Sequence, residues 1–122
     1  MGRNLNKAQV GKLGENEALS YLKKKGYKIL HCNWRSGKDE IDIVALHNDI
    51  LVIVEVKTRT SISYGEPWEA VDERKQQALE RAAMAYLDEF SIDMELRFDI
   101  VSIVLLSNNE IQINHIENAF YP

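Results

Sequence analysis

Ile50-Leu51-Val52-Ile53-Val54-Glu55-Val56-Lys57-Thr58 is the stretch from which the fold is read. Its β-branched, nearly continuous apolar run predicts a central strand buried on both faces. Two charges interrupt it. With only Val56 between them, Glu55 and Lys57 point to the same face of the strand. Burying a carboxylate and an ammonium costs several kcal/mol, on the order of the usual penalty per ion, unless they are paired, solvated or bound to an ion. A strand this apolar gains no stability from them, so their presence needs another explanation.

Upstream, His47-Asn48-Asp49 reads as a hairpin turn, and Asp39 to Leu46 as the strand before it. In that strand Glu40 and Asp42 alternate with Ile41 and Ile43, which puts the acids on one face. Pairing around the turn sets Asp42 opposite Glu55, at a Cβ separation of roughly 5 Å. Two ionised carboxylates that close repel unless a cation lies between them. Mg²⁺, or Mn²⁺ in its place, suits such a pair: a hard cation takes one or two carboxylates, a carbonyl and several waters. Asp42, Glu55 and the backbone carbonyl of Val56 are the candidate metal ligands. Lys57, beside them, could lower the pKa of an attacking water or stabilise charge on a pentavalent phosphorane-like transition state. The alternative is a strand-edge Glu–Lys pair with Asp42 as a solvated neighbour. Glu-x-Lys alone carries little weight, since Glu73-Arg74-Lys75 repeats it where surface charge explains it.

Further out, Asn6 to Lys25 predicts a helix, with Val10, Leu13, Ala18, Tyr21 and Leu22 at three- and four-residue steps and Gly26 as its stop. Tyr27 to Trp34 predicts a strand, followed by a turn at Ser36-Gly37-Lys38. After a polar loop from Arg59 to Glu66, Pro67 suits the first turn of a second helix reaching about Phe90. Its core stripe would hold Val71, Ala78, Leu79, Ala82, Tyr86 and Leu87. Leu96 to Leu106 and Glu110 to Ile116 are two more strands, joined by Ser107-Asn108-Asn109. The order α-β-β-β-α-β-β implies an α/β fold, a mixed β-sheet flanked by helices.

A chain of 122 residues, 45% hydrophobic and 28% charged, is expected to form one domain across 1–122 with its own core. The single Cys32 excludes an intrachain disulfide and a cysteine-based zinc site. His31, His47 and His115 have no metal-ligand spacing and read as strand or surface residues. With no apolar leader and no run of membrane-spanning length, the expectation is a reduced, cytoplasmic protein with no membrane partner. Net charge is −4, yet residues 1–38 hold nine Lys/Arg against two Asp/Glu. That asymmetry fits a basic face for nucleic acid on an acidic body; a solvated helix end at Lys23, Lys24 and Lys25 explains part of it equally well.

Taken together, Asp42 and Glu55-Val56-Lys57 resemble the PD-(D/E)xK nuclease signature of the restriction-endonuclease-like fold. More closely, Gly11-x-x-Gly14-Glu15-x-x-Ala18, Glu40-Ile41-Asp42, Glu55-Val56-Lys57-Thr58-Arg59 and Arg97-Phe98-Asp99-Ile100-Val101 resemble the YraN-type bacterial family, which is similar to archaeal Holliday-junction resolvases. The resemblance implies a Mg²⁺- or Mn²⁺-dependent endonuclease, on DNA ahead of RNA, with Asp42 and Glu55 as metal ligands and Lys57 as the catalytic lysine. It makes Glu15 an extra catalytic acid, although helical phasing does not choose between Glu15 and Glu17. Arg35, Lys38, Arg59 and Lys75 are candidates for contacts to nucleic acid, with exposed salt bridges the competing reading. Trp34 could stack on a base or belong to the core, and Tyr64, Gly65 and Trp68 near the active-site loop share that ambiguity. Resolvase-like cutting of two strands implies a homodimer. The rival expectation is a nucleic-acid-binding or recruitment module that keeps the fold with little activity. One departure stands out: the family pattern has glycine before Glu40-Ile41-Asp42, and here Asp39 takes its place, with the prospect of a changed turn or added repulsion.

Overall fold

The computed structural model describes residues 5–60 and 71–120. Helix α1, Lys7–Lys24, starts where a capping box allows it: Asn6 accepts from the Gln9 amide, and the Gln9 side chain accepts from the Asn6 amide, each at 2.9 Å. It ends in a Schellman turn. Gly26, at φ 91°, donates to the Lys23 carbonyl and Tyr27 to that of Leu22. The strands are β1 Lys28–Ser36, β2 Asp39–His47, β3 Ile50–Arg59, β4 Glu95–Leu105 and β5 Ile111–Phe120, with helix α2, Glu73–Glu89, between β3 and β4. They form one sheet in the order β1-β2-β3-β4-β5.

Asn48 and Asp49 both have positive φ, 51° and 64°, the signature of a two-residue type I′ hairpin turn. That turn pairs His47 with Ile50 and fixes the register through Ile43 and Val54. Strand β3 then runs parallel to β4 over ten residue pairs, from Ile50 with Glu95 to Arg59 with Val104, with α2 in the crossover. The expected α/β architecture and element order hold.

Among the described residues, each face of the sheet carries one helix. Ala18 and Leu22 of α1 pack on Ile43, Ala45, Val52, Val54, Val101 and Ile103. Leu79, Ala82, Ala83 and Tyr86 of α2 cover Val44, Leu51, Ile53, Phe98 and Ile100. Two boundaries differ from expectation. The second helix begins at Glu73, because Asp72 adopts extended backbone and caps the Lys75 amide at 2.9 Å. Val71 therefore precedes the helix, although it is buried in the core as foreseen. Pro67, Tyr64, Gly65 and Trp68 lie outside the described residues. The last strand continues past Ile116 to Phe120, because a register shift around Asn118 (φ 54°) absorbs the polar Glu117-Asn118 pair. No described helix is long and apolar enough to cross a membrane.

Candidate metal and nucleic-acid site

The hairpin that aligns β2 and β3 also opens them. The ladder between them ends at Ile43 and Val54. One step further the Val56 amide donates to Oδ2 of Asp42 at 2.8 Å, so a side chain takes the place of a backbone acceptor. In an extended strand the N–H and C=O of one residue point to the same edge. The Val56 carbonyl is thereby directed at the same gap as Asp42.

Glu55 lies on the α2 side of β3, following Leu51 and Ile53, and is only 5% exposed. Two ammonium groups meet its Oε2: Lys57 Nζ at 3.7 Å and Lys75 Nζ, from the first turn of α2, at 3.6 Å. Its other oxygen, Oε1, is buried with no hydrogen-bond partner among the described residues. An orphaned buried carboxylate oxygen is uncommon, because the lost hydration typically costs about 1–3 kcal/mol or more. Burial, then the charge of Glu55 and a side-chain hydrogen bond shared with it, push the Asp42 carboxyl up to about 7, against the opposing pull of the Val56 amide; the two carboxyls sit close enough to share a proton when no cation lies between them.

Asp42, Val56 and Lys57 open onto a cleft of about 380 Å³ that Glu15 and Asn33 also line. Glu15 reaches it because α1 presses on β3 at Gly14, where any Cβ would fall on the Thr58 side chain. Its Oε1 accepts from Asn33 Nδ2 at 2.7 Å. Helical phasing left Glu15 and Glu17 open; Glu15 lines this cleft and Glu17 does not.

The cations foreseen for nucleic acid divide. Lys75 is drawn onto Glu55, so it is part of the site rather than plain surface charge. Lys38 shares a second cleft with Arg74, Lys75 and Arg81 along α2. Arg35 is ion-paired with Glu40 at 3.1 Å. Arg59 ends β3 beside Val104. Asp39, where the family pattern has glycine, adds no repulsion at Asp42: Arg81 binds it through two 3.1 Å hydrogen bonds, which hold its carboxyl below the usual range. Trp34 is partly buried and packs against the core, its ring edge-on to Tyr86 at 5.1 Å. Cys32 is exposed and free.

No histidine joins the site. His31 bonds the Tyr86 hydroxyl at 2.7 Å, and His47 stacks on Tyr27 with its Nδ1 buried and unpartnered among the described residues. His115 instead belongs to a polar cluster around Asp99 that sequence reasoning missed. Asp99 is 1% exposed and accepts from Arg97 Nε and Nη2 (both 2.9 Å), His115 Nε2 (2.7 Å) and the Asn118 amide (3.0 Å). Burial alone would raise its pKa, yet these bonds hold the carboxyl below the ordinary range. Arg97 also donates to the Tyr27 hydroxyl at 2.6 Å, and burial and the Asp99 charge push that phenol up to about 12. The signal was present as Arg97-x-Asp99, two charges on one face of an apolar strand.

Among the described residues, no three His, Cys, Asp or Glu side chains converge to hold a metal unaided. The donor set is two carboxylates and a carbonyl, with the remaining positions left to water or a phosphate. That set fits Mg²⁺ or Mn²⁺, which bind through few protein ligands and keep their waters. The orphaned Glu55 oxygen fits the same group.

Sequence comparison matches residues 14–103 to the family described as "Uncharacterised protein family UPF0102". A UPF0102 protein of Bacteroides thetaiotaomicron is 49% identical over 114 residues, covering 93% of each chain. One from Alkaliphilus oremlandii is 47% identical, covering 92% of this chain and 97% of its own. One from Caldanaerobacter subterraneus is 44% identical over 121 residues, 97% and 99% of the two chains.

Proposed function

The chain belongs to the UPF0102 family, and on the geometry of its site we propose that it is a metal-dependent endonuclease acting on DNA. The observation that carries this reading is Glu55: a carboxylate on a central strand, with one oxygen orphaned, facing Asp42 across strands that have parted. In this reading Asp42, Glu55 and the Val56 carbonyl hold Mg²⁺ or Mn²⁺. When bound there, the ion would supply Lewis acidity at the phosphate and would lower the pKa of a water it holds. Lys57 places its ammonium beside the reacting phosphate, where it stabilises the charge that develops in the transition state. Glu15, fixed by Asn33, orients the water from the α1 side. Arg35, Lys38, Arg59 and Lys75 steer the backbone of the nucleic acid toward the gap. Resolvase-like action on branched DNA would need a homodimer to cut two strands symmetrically.

The test is cleavage of branched, flapped and single-stranded DNA by purified protein with Mg²⁺ or Mn²⁺. Asp42→Ala and Glu55→Ala should abolish cleavage with the circular dichroism spectrum unchanged. Activity surviving either change in pure protein removes this reading. One observation favours a second one. Lys57 and Lys75 already neutralise Oε2 of Glu55, so the site can stand without a metal. A nucleic-acid-binding or recruitment module with this fold would bind DNA with steep salt dependence and show no metal-dependent turnover.

A further inference from the structure

Helix α1 contains two glycines in its interior, and among the described residues only one of them has a packing reason. Gly14 is required by Thr58, as described above. At Gly11 a Cβ would meet nothing within 4 Å among the described residues. Its backbone is not left-handed either; among the described glycines only Gly26 and Gly37 have positive φ. Glycine in a helix interior is disfavoured relative to alanine, because it loses more backbone entropy on folding. The missing side chain therefore leaves room for something outside the fold.

Gly11 lines the cleft that ends at Asp42, Val56 and Lys57. Lys7 precedes it by four residues and Glu15 follows by four, so the three form one stripe of the helix facing that cleft. Lys7 is exposed and supplies the cation at the outer end; Lys57 supplies the one at the inner end. We propose that a single sugar–phosphate strand crosses α1 on the bare backbone at Gly11, with Lys7 binding the phosphate that flanks the one at Asp42. This rests on the nuclease reading and adds the path of the bound strand. A Cβ at Gly11 would hold that strand away from the helix. A longer side chain would fill the cleft mouth.

The test uses fluorescence anisotropy with labelled single-stranded and four-way-junction DNA at low salt, beside thermal melts of the same proteins. Gly11→Ala should melt higher than wild type yet bind DNA more weakly. Gly11→Leu should lose at least about tenfold in affinity, and Lys7→Ala should reduce the slope of log affinity against log salt by about one phosphate contact. The opposed signs matter, since a merely structural glycine would lose stability and binding together. Wild-type affinity in Gly11→Leu overturns the proposed path while leaving the nuclease reading intact. A lower melting temperature in Gly11→Ala also overturns it, because the chain itself would then cover the position. Wild-type protein that binds neither DNA removes the nuclease reading and this path with it.

Discussion

Neighbouring strands β3 and β4 each carry a pair of charges two residues apart in an apolar run, and the two pairs end in opposite states. Arg97-x-Asp99 is closed: four donor bonds converge on a fully buried carboxylate, and Arg97 is shared with Tyr27. Glu55-x-Lys57 is open: two ammoniums stand at 3.6–3.7 Å from one oxygen, and the other oxygen has no partner among the described residues. The sequence pattern is the same, so the pattern identifies a buried charge without saying what it is for. Satisfaction separates the two. Asp99 fastens β4 to β5 through His115 and Asn118, whereas Glu55 and Asp42 retain acceptor capacity for a ligand.

The contrast breaks most visibly in stability. Asp99→Ala leaves Arg97 and His115 buried without their partner, and equilibrium unfolding in urea should lose about 3–5 kcal/mol. Glu55→Gln removes a charge whose burial is poorly compensated, so the same measurement should find no loss and a gain of up to about 1 kcal/mol. Equal losses in the two variants would erase the distinction between a closed and an open pair.

Next comes pH, where the two carboxyls act with opposite sign. Asp42 is raised to about 7 in the fold, so the native state holds its proton when the unfolded chain has released it. Its contribution is fully present below about pH 4 and is lost as pH rises through about 7. Asp99 is lowered, so its contribution is present above about pH 4 and is lost as pH falls below that. Thermal melts across this range should show Asp42→Asn flattening the decline toward neutral pH, and Asp99→Asn flattening the acid limb. Added Mg²⁺ should also flatten the wild-type decline, because a cation between the carboxylates favours both in ionised form.

Gly14→Ala should cost about 1–3 kcal/mol by driving α1 off Thr58, and should weaken cleavage through Glu15 as well. Pairing it with Thr58→Ala should restore only part of the stability, since the Cβ at position 58 would still lie 2.7 Å from the new one. The smallest effect is at Lys75. Removing an ammonium that competes for Glu55, as in Lys75→Met, should tighten Mn²⁺ binding a few-fold, about 0.5–1 kcal/mol, in a calorimetric titration. Weaker Mn²⁺ binding would make Lys75 a support of Glu55 instead.

Local chemistry made much of this legible in sequence. The Asn48-Asp49 turn sets the register, and the register places Asp42 across from Glu55; both steps need only the residues between Asp42 and Glu55. The parting of the strands beyond Ile43 was not legible, since it depends on a side chain replacing a ladder acceptor at Val56. Lys75 read as surface charge because nothing local says that the first turn of α2 returns to Glu55. The role of Asp99 is hidden in sequence, for its partners His115 and Asn118 lie on another strand, past a register shift. The cap at Asp72 is hidden in sequence because Val71 continues the apolar stripe of the helix, whereas Asp72 in extended backbone starts it at Glu73.

The most direct test of the central claim, that Asp42 and Glu55 form an open site for a divalent cation, is calorimetric titration of Mn²⁺ into wild type, Asp42→Asn and Glu55→Gln at neutral pH. One saturable site is expected in the wild type, lost in both variants while all three remain folded. Saturable binding that persists unchanged in both variants would place the metal elsewhere and contradict it.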